Sequence, residues 1–276
     1  MTYWNAVLLG LVQGVAEFLP ISSSGHLAVL QNFLAIGDME NHMLFDVLLH
    51  LGTLAAVILA FWKDVREVVT EFARMLHIRR TPRGMKPNRR ERRLISFLII
   101  ATLPLIPAAF LSNVVESLYQ NTFFIGFAFI LTGFLLFAAD RMGHGNKDER
   151  SSTTADALVV GLAQAVAVVP GLSRSGTTIS FGMLRGFERS FAVKFSFLLS
   201  IPAVLGANLV SIIKVFSTGV EWSYVPMYLV GVACAFVSGY FAIYFLRLVV
   251  QRGKFGGFCY YCWGAGLVTL LLSLIS

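Results

Sequence analysis

Six long apolar runs divide the chain, at about 44–62, 94–111, 123–139, 191–213, 225–246 and 258–276. Each approaches the roughly 20 residues that an α-helix needs to cross the hydrocarbon core, so six transmembrane helices are expected. Two further apolar regions are interrupted. In the first, a helical pattern over 3–19 meets Pro20, and a second short helix is expected over about 25–35, with the serines before it offering an N-cap. In the second, Pro170 and Gly171 break the run in the same way. At about 1.5 Å per residue neither half of either region can span, so both are read as re-entrant helical hairpins.

Charge orients these elements. The tract 63–93 holds half of the 22 Lys and Arg residues and reads as a solvated charged loop on the cytoplasmic side. Arg141, Lys147 and Arg150, and later Arg247, Arg252 and Lys254, mark two returns to that side. The stretches 37–42, 112–122 and 215–224 lack Lys and Arg and are placed outside; Lys214, at an outer helix end, can snorkel. The first hairpin then enters from outside and the second from the cytoplasm. The expected fold is all-α and integral to the membrane: one domain of two halves, 1–140 and 155–276, in an inverted-topology repeat.

An internal echo supports the duplication. Gln13-Gly-Val-Ala-Glu17-Phe-Leu-Pro20-Ile-Ser22-Ser23-Ser24-Gly25-His26 returns 151 residues later around Gln164 and Ser173-Arg174-Ser175-Gly176. Without a gap, Gly10, Leu11, Gln13, Val15, Ala16, Ser22, Ser24 and Gly25 find identical residues.

Composition agrees with the pattern: 57% of residues are hydrophobic and 13% charged, about half the charge of a soluble domain. The net charge of +7 lies in loops and has no recognition motif beside it, so nucleic acid is not an expected partner. The N-terminus lacks a cationic n-region, and no cleavable signal peptide is expected. Cys259 and Cys262 have no second Cys or His pair and are read as buried apolar thiols at a helix end.

If the hairpin tips meet, one cavity gathers Glu17, Ser22, Ser23, Ser24 and His26 with Ser173, Arg174, Ser175, Thr177 and Thr178. Ionisable groups at membrane depth are costly and mark function. The Arg174 fork suits phosphate oxygens, and two helix starts add N–H and hydroxyl donors; this is a phosphate pocket in chemical terms. Glu17 beside a polyanion points to a divalent metal or to orientation of His26 as a base. Asp46 and His50, four apart, either line the same cavity or form a satisfied pair.

These residues resemble the two signatures of the bacterial undecaprenyl-diphosphate phosphatases, the BacA/UppP family: Gln13-x-x-x-Glu17 with Ser-Ser-Ser-Gly-His26, and Pro170-Gly-Leu-Ser173-Arg174-Ser175-Gly-Thr-Thr178. The resemblance covers the whole chain. It implies hydrolysis of undecaprenyl diphosphate to undecaprenyl phosphate and phosphate, which recycles the carrier lipid for peptidoglycan synthesis and confers bacitracin resistance. It further implies Mg2+ or Ca2+ as cofactor, with Glu17 as the metal ligand, and an inner-membrane site that opens outward. Glu17, Ser23, His26 and Arg174 become the catalytic set, and Gln13, Ser22, Ser24, Ser173, Ser175 and Thr178 the substrate-binding set. Gln13 stands where many members carry Glu, leaving one carboxylate in the motif. A second lipid-phosphatase pattern, Ser-Arg followed by five residues and His, fails because that position is Ser180.

Two questions stay open at this level. Inverted repeats with broken helices also suit a polyprenyl-phosphate flippase or transporter. The nucleophile is Ser23, with His26 one helical turn on as its base, or His26 itself. Membrane lipid is the expected surrounding partner, and a homodimer is left open.

Overall fold

The computed structural model describes residues 1–34, 43–78, 88–218 and 222–275. The outer loop expected at 37–42 lies outside the described residues, as does 79–87 of the basic tract. Among the described residues there is no strand, and thirteen α-helices follow one another. The first hairpin is α1 (Tyr3–Phe18) and α2 (Ser23–Leu34). Then come α3 (Met43–Ala60), α4 (Trp62–Met75), α5 (Arg89–Thr102), α6 (Leu105–Ala109), α7 (Ser112–Tyr119) and α8 (Thr122–Met142). The second hairpin is α9 (Thr154–Val166) and α10 (Arg174–Leu184), followed by α11 (Arg189–Thr218), α12 (Val225–Gln251) and α13 (Phe258–Ile275).

Five helical stretches are long and apolar enough to cross a membrane, and α3 with its continuation α4 makes a sixth if the pair is counted as one. This is a multi-pass membrane protein. Both interrupted regions are split as expected: no helix of either hairpin exceeds the 16 residues of α1.

The basic tract departs from the expected loop. Its start is the helix α4, bent by 91° from α3, and its end forms the first turns of α5. Val65, Val68, Val69 and Phe72 repeat at helical spacing there, a signal that dense charge obscured.

α1 is clamped to α12. Gly10 faces the Gly231 carbonyl, and Gly14 faces Ser238 and Ala235, so closely that a methyl group at either position would overlap them. Small residues that let two helix backbones touch are a membrane packing device, because lipid tails supply no hydrophobic drive between helices. At the start of α9, Thr153 and Asp156 form a capping box, and fully buried Asp156 meets Lys147 at 3.0 Å and Arg185 at 2.8 Å. Burial alone would raise that carboxyl; the hydrogen bonds from Lys147, Thr153 and Arg185 outweigh it and hold the pKa at about 2.

Candidate active site

The two breaks meet. Ser22 Oγ donates to the Leu172 carbonyl at 3.3 Å, and Ser175 Oγ donates to the Leu19 carbonyl at 3.3 Å, so each tip ties down backbone of the other. Two outer helices hold the bend carbonyls: Thr132 Oγ1 on α8 donates to Gly171 O at 3.3 Å, and Cys262 Sγ on α13 to Pro20 O at 3.4 Å. Cys259 and Cys262 are buried free thiols, as the sequence suggested.

Each tip starts its second helix with a serine cap. Ser22 Oγ accepts from Gly25 N at 3.3 Å, and Ser173 Oγ accepts from Gly176 N at 3.0 Å. Ser22 does so at φ 69°, in the left-handed region, which costs a non-glycine residue about 1–2 kcal/mol. Because Ser22 donates to Leu172, Ser24 is the donor in their 3.3 Å hydroxyl pair.

Glu17, in the last turn of α1, is the hub. One carboxylate oxygen pairs with the Arg174 guanidinium across the two halves. The other accepts from Ser23 Oγ at 2.6 Å and from Gln13 Nε2 at 3.1 Å, and His50 Nε2 stands 3.9 Å away. Gln13 is fully buried, and its Oε1 has no partner. A single carboxylate held by one cation and two donors is how a lone charge survives at membrane depth.

His26 is oriented away from this hub. Its Nδ1 lies 2.7 Å from the Ser22 carbonyl, which makes Nδ1–H the donor and leaves the Nε2 lone pair facing the Tyr261 hydroxyl at 2.7 Å. Its ring stacks on Tyr261, with centroids 5.7 Å apart, and meets Phe129 edge-on. Both nitrogens are therefore engaged, and the group touching Ser23 is Glu17. One helical turn separates Ser23 and His26 in sequence, but here the imidazole is turned to the last helix.

The remaining motif residues fall into two groups. Ser23, Ser24, His26 and Arg174 keep partial exposure and can meet a ligand. Ser22, Ser173, Ser175, Thr177 and Thr178 are buried. The Thr178 hydroxyl bonds Arg174 O at 2.9 Å and Ser196 Oγ at 2.6 Å, which fixes α10 to α11. Asp46 and His50 are not a side-chain pair: His50 Nδ1 bonds the Asp46 carbonyl at 2.8 Å, while Gln31 Nε2 donates to Asp46 Oδ1 at 3.4 Å.

His50 and Tyr261 also reach the tip, and neither belongs to its motifs. A lone polar side chain on an apolar helix has no motif around it; only the i,i+4 spacing of Asp46 and His50 hinted at the first. A separate cavity of about 340 Å3, walled by Phe61, Asp64, Arg90, Lys194 and Arg247, contains none of the motif residues. Its charges are largely paired, Lys194 with Asp64 and Arg90 with Glu149.

The arrangement supplies an activated hydroxyl, a carboxylate able to take its proton, and a guanidinium for anionic oxygens. No group of three or more His, Cys, Asp or Glu side chains able to hold a metal is present among the described residues. A cation here would rest on Glu17, with the unpartnered Gln13 Oε1, one turn before it on α1, as a spare hard oxygen. That incomplete shell suits a metal finished by phosphate oxygens and water.

Comparison with known proteins gives one consistent result. The family model described as bacitracin resistance protein BacA matches residues 6–268. The chain is similar to the undecaprenyl-diphosphatase of Alkaliphilus metalliredigens, at 41% identity over 100% of both chains. It is 36% identical to that of Halothermothrix orenii over 99% of each, and 41% identical to that of Syntrophotalea carbinolica over 96% of this chain and 97% of the relative.

Proposed function

Since the chain belongs to the bacitracin resistance protein BacA family, we propose that it hydrolyses undecaprenyl diphosphate to undecaprenyl phosphate and inorganic phosphate. The observation that carries the reading is the contact set of Glu17 with Ser23, at 2.6 Å, and with Arg174. These are the donor, acceptor and counter-charge that phosphoryl transfer needs, assembled from opposite halves of the chain.

The diphosphate competes with Glu17 for Arg174. As Arg174 turns to the phosphate oxygens its hold on Glu17 loosens, and the Glu17 oxygen that already accepts from Ser23 takes the Ser23 proton. Ser23 Oγ attacks the terminal phosphorus and its proton passes to Glu17. The bond from that phosphorus to the bridging oxygen breaks, and undecaprenyl phosphate leaves with the electron pair. Water then attacks the phosphoserine; the phosphorus–Oγ bond breaks, Glu17 returns its proton to Ser23 Oγ, and the water's proton leaves with inorganic phosphate or to solvent, which restores the carboxylate. Arg174 offsets the equatorial charge in both steps. A divalent cation, Mg2+ or Ca2+, held by Glu17 with Gln13, would supply further neutralisation of the diphosphate. His26, braced by Ser22 and Tyr261, orients the substrate at the mouth of the tip.

In this reading the fold is six spans plus two re-entrant hairpins in inverted halves. It sits in the inner membrane with its site facing outward, where the spent carrier lipid arises. The apolar surface between spans receives the prenyl chain.

Purified protein in detergent should release phosphate from undecaprenyl diphosphate, lose that activity in excess chelator and regain it with Mg2+ or Ca2+. Rapid acid quenching with labelled diphosphate should trap an acid-stable label that Ser23→Ala removes. Full turnover in chelator would take the metal out of the reading. An acid-labile label lost in His26→Ala would move the nucleophile to His26. Transbilayer movement of the lipid without phosphate release would replace hydrolysis by transport.

A further inference from the structure

The apolar part of α3 is 17 residues long, near the lower limit for a span, and α4 leaves it at 91°; with α3 taken as the span, α4 runs along the membrane surface. One flank of α4 is bound to the protein. Val65 and Val68 pack on the core, and buried Glu71 takes Arg74 at 3.2 Å and Arg92 of α5 at 2.7 Å. The adjoining edge is uncovered: Trp62, Val69, Phe72 and Leu76 are 57, 58, 40 and 53% exposed. Steps of seven, three and four residues place all four on one stripe. Leu59, exposed near the end of α3, carries the same apolar surface up to the bend.

Cations flank this stripe. Lys63 and Arg66 are exposed and, among the described residues, have no carboxylate within 4.0 Å, whereas Arg74 and Arg92 share Glu71. The surrounding tract 63–93 holds eleven Lys and Arg against four acids, a surplus equal to the +7 of the entire chain. An in-plane helix with an aromatic at the bend, a free apolar edge and a cationic flank has the features of an element seated between acyl chains and headgroups. The charge selects the headgroup.

We infer that the free edge of α4, with Lys63 and Arg66, is a binding surface for anionic phospholipid in the leaflet on the side of the basic tract. The apolar stripe takes the acyl chains and the two cations take the phosphodiester. A soluble partner fits less well, because the stripe continues the lipid-facing surface of α3. The inference rests on the membrane-spanning fold and is independent of the hydrolysis proposed above.

Native mass spectrometry of the full chain in mild detergent, titrated with phosphatidylglycerol or phosphatidylcholine, tests it. The unaltered protein should retain phosphatidylglycerol preferentially. Lys63→Gln with Arg66→Gln should weaken that binding about tenfold and leave phosphatidylcholine unchanged. Trp62→Ser with Phe72→Ser should weaken both lipids. Arg252→Gln with Lys254→Gln, a basic loop with no such stripe, should behave as the unaltered chain. Melting temperatures in detergent check that all variants are folded. Equal affinity for the two lipids, undiminished phosphatidylglycerol binding in Lys63→Gln with Arg66→Gln, or the same loss in the Arg252 and Lys254 pair would overturn the inference. So would a stoichiometric co-purifying protein lost from the Trp62 and Phe72 pair with lipid binding intact.

Discussion

The two hairpin tips share a frame and differ in almost everything chemical. Each has a serine cap that accepts a backbone N–H three residues on, a second serine 3.3 Å from the first, and a bend carbonyl held by an outer helix. Those bend carbonyls belong to Pro20 and Gly171, which are 151 residues apart, the same offset as the sequence echo. On this common frame Glu17 corresponds to Val168, Ser23 to Arg174 and His26 to Thr177. Gln13 bonds Glu17, whereas neither end of the buried Gln164 amide has a partner. The first tip has the carboxylate and the hydroxyl bonded to it and the second has the cation, so neither half holds the whole set alone.

That division can be broken at the first tip with the largest effect. Ser23→Ala should lower turnover roughly a thousandfold or more, measured as phosphate release, with the melting temperature unchanged. At the second tip, Arg174→Lys keeps the charge but loses the fork. A fall on the order of 10²-fold is expected, and near-normal hydrolysis would remove Arg174 from the transition state. Tyr261→Phe releases one nitrogen of His26, and turnover should drop roughly tenfold with KM little changed. A rise in KM alone would mean that Tyr261 serves the lipid rather than the imidazole.

The smallest effects sharpen the comparison of the frames. Thr132 both donates to Gly171 O and accepts from Ser173 N, while Cys262 makes one weak thiol bond to Pro20 O. Thr132→Val should cost about 1–2 kcal/mol of stability, and Cys262→Ala about 0.5 kcal/mol or less. Both are readable as melting shifts with activity kept. Equal shifts would mean that the two bends are braced alike.

Much of this was legible in the chain. The breaks at Pro20 and Pro170, the hydroxyl-rich starts of α2 and α10, and the meeting of Glu17 with Arg174 all follow from local rules about helices and from the cost of charge in lipid. Orientation of side chains did not follow. Ser23 and His26 are three apart, but the carbonyl of Ser22 and the hydroxyl of Tyr261, 235 positions away from His26, decide where the imidazole points. α4 was hidden differently: its apolar stripe is diluted by charge, so composition outweighed periodicity.

The clamp of α1 on α12 also bears on how the molecule is made. The first hairpin precedes every other described helix in the chain. Yet Gly10 and Gly14 rest on Gly231 and Ser238, Pro20 O waits for Cys262, and His26 waits for Tyr261. The first hairpin thus gains these partners only once α12 and α13 are in place. Until then a carboxylate and a row of hydroxyls need shelter from lipid. A chain lacking α13 would leave Pro20 O and His26 without Cys262 and Tyr261.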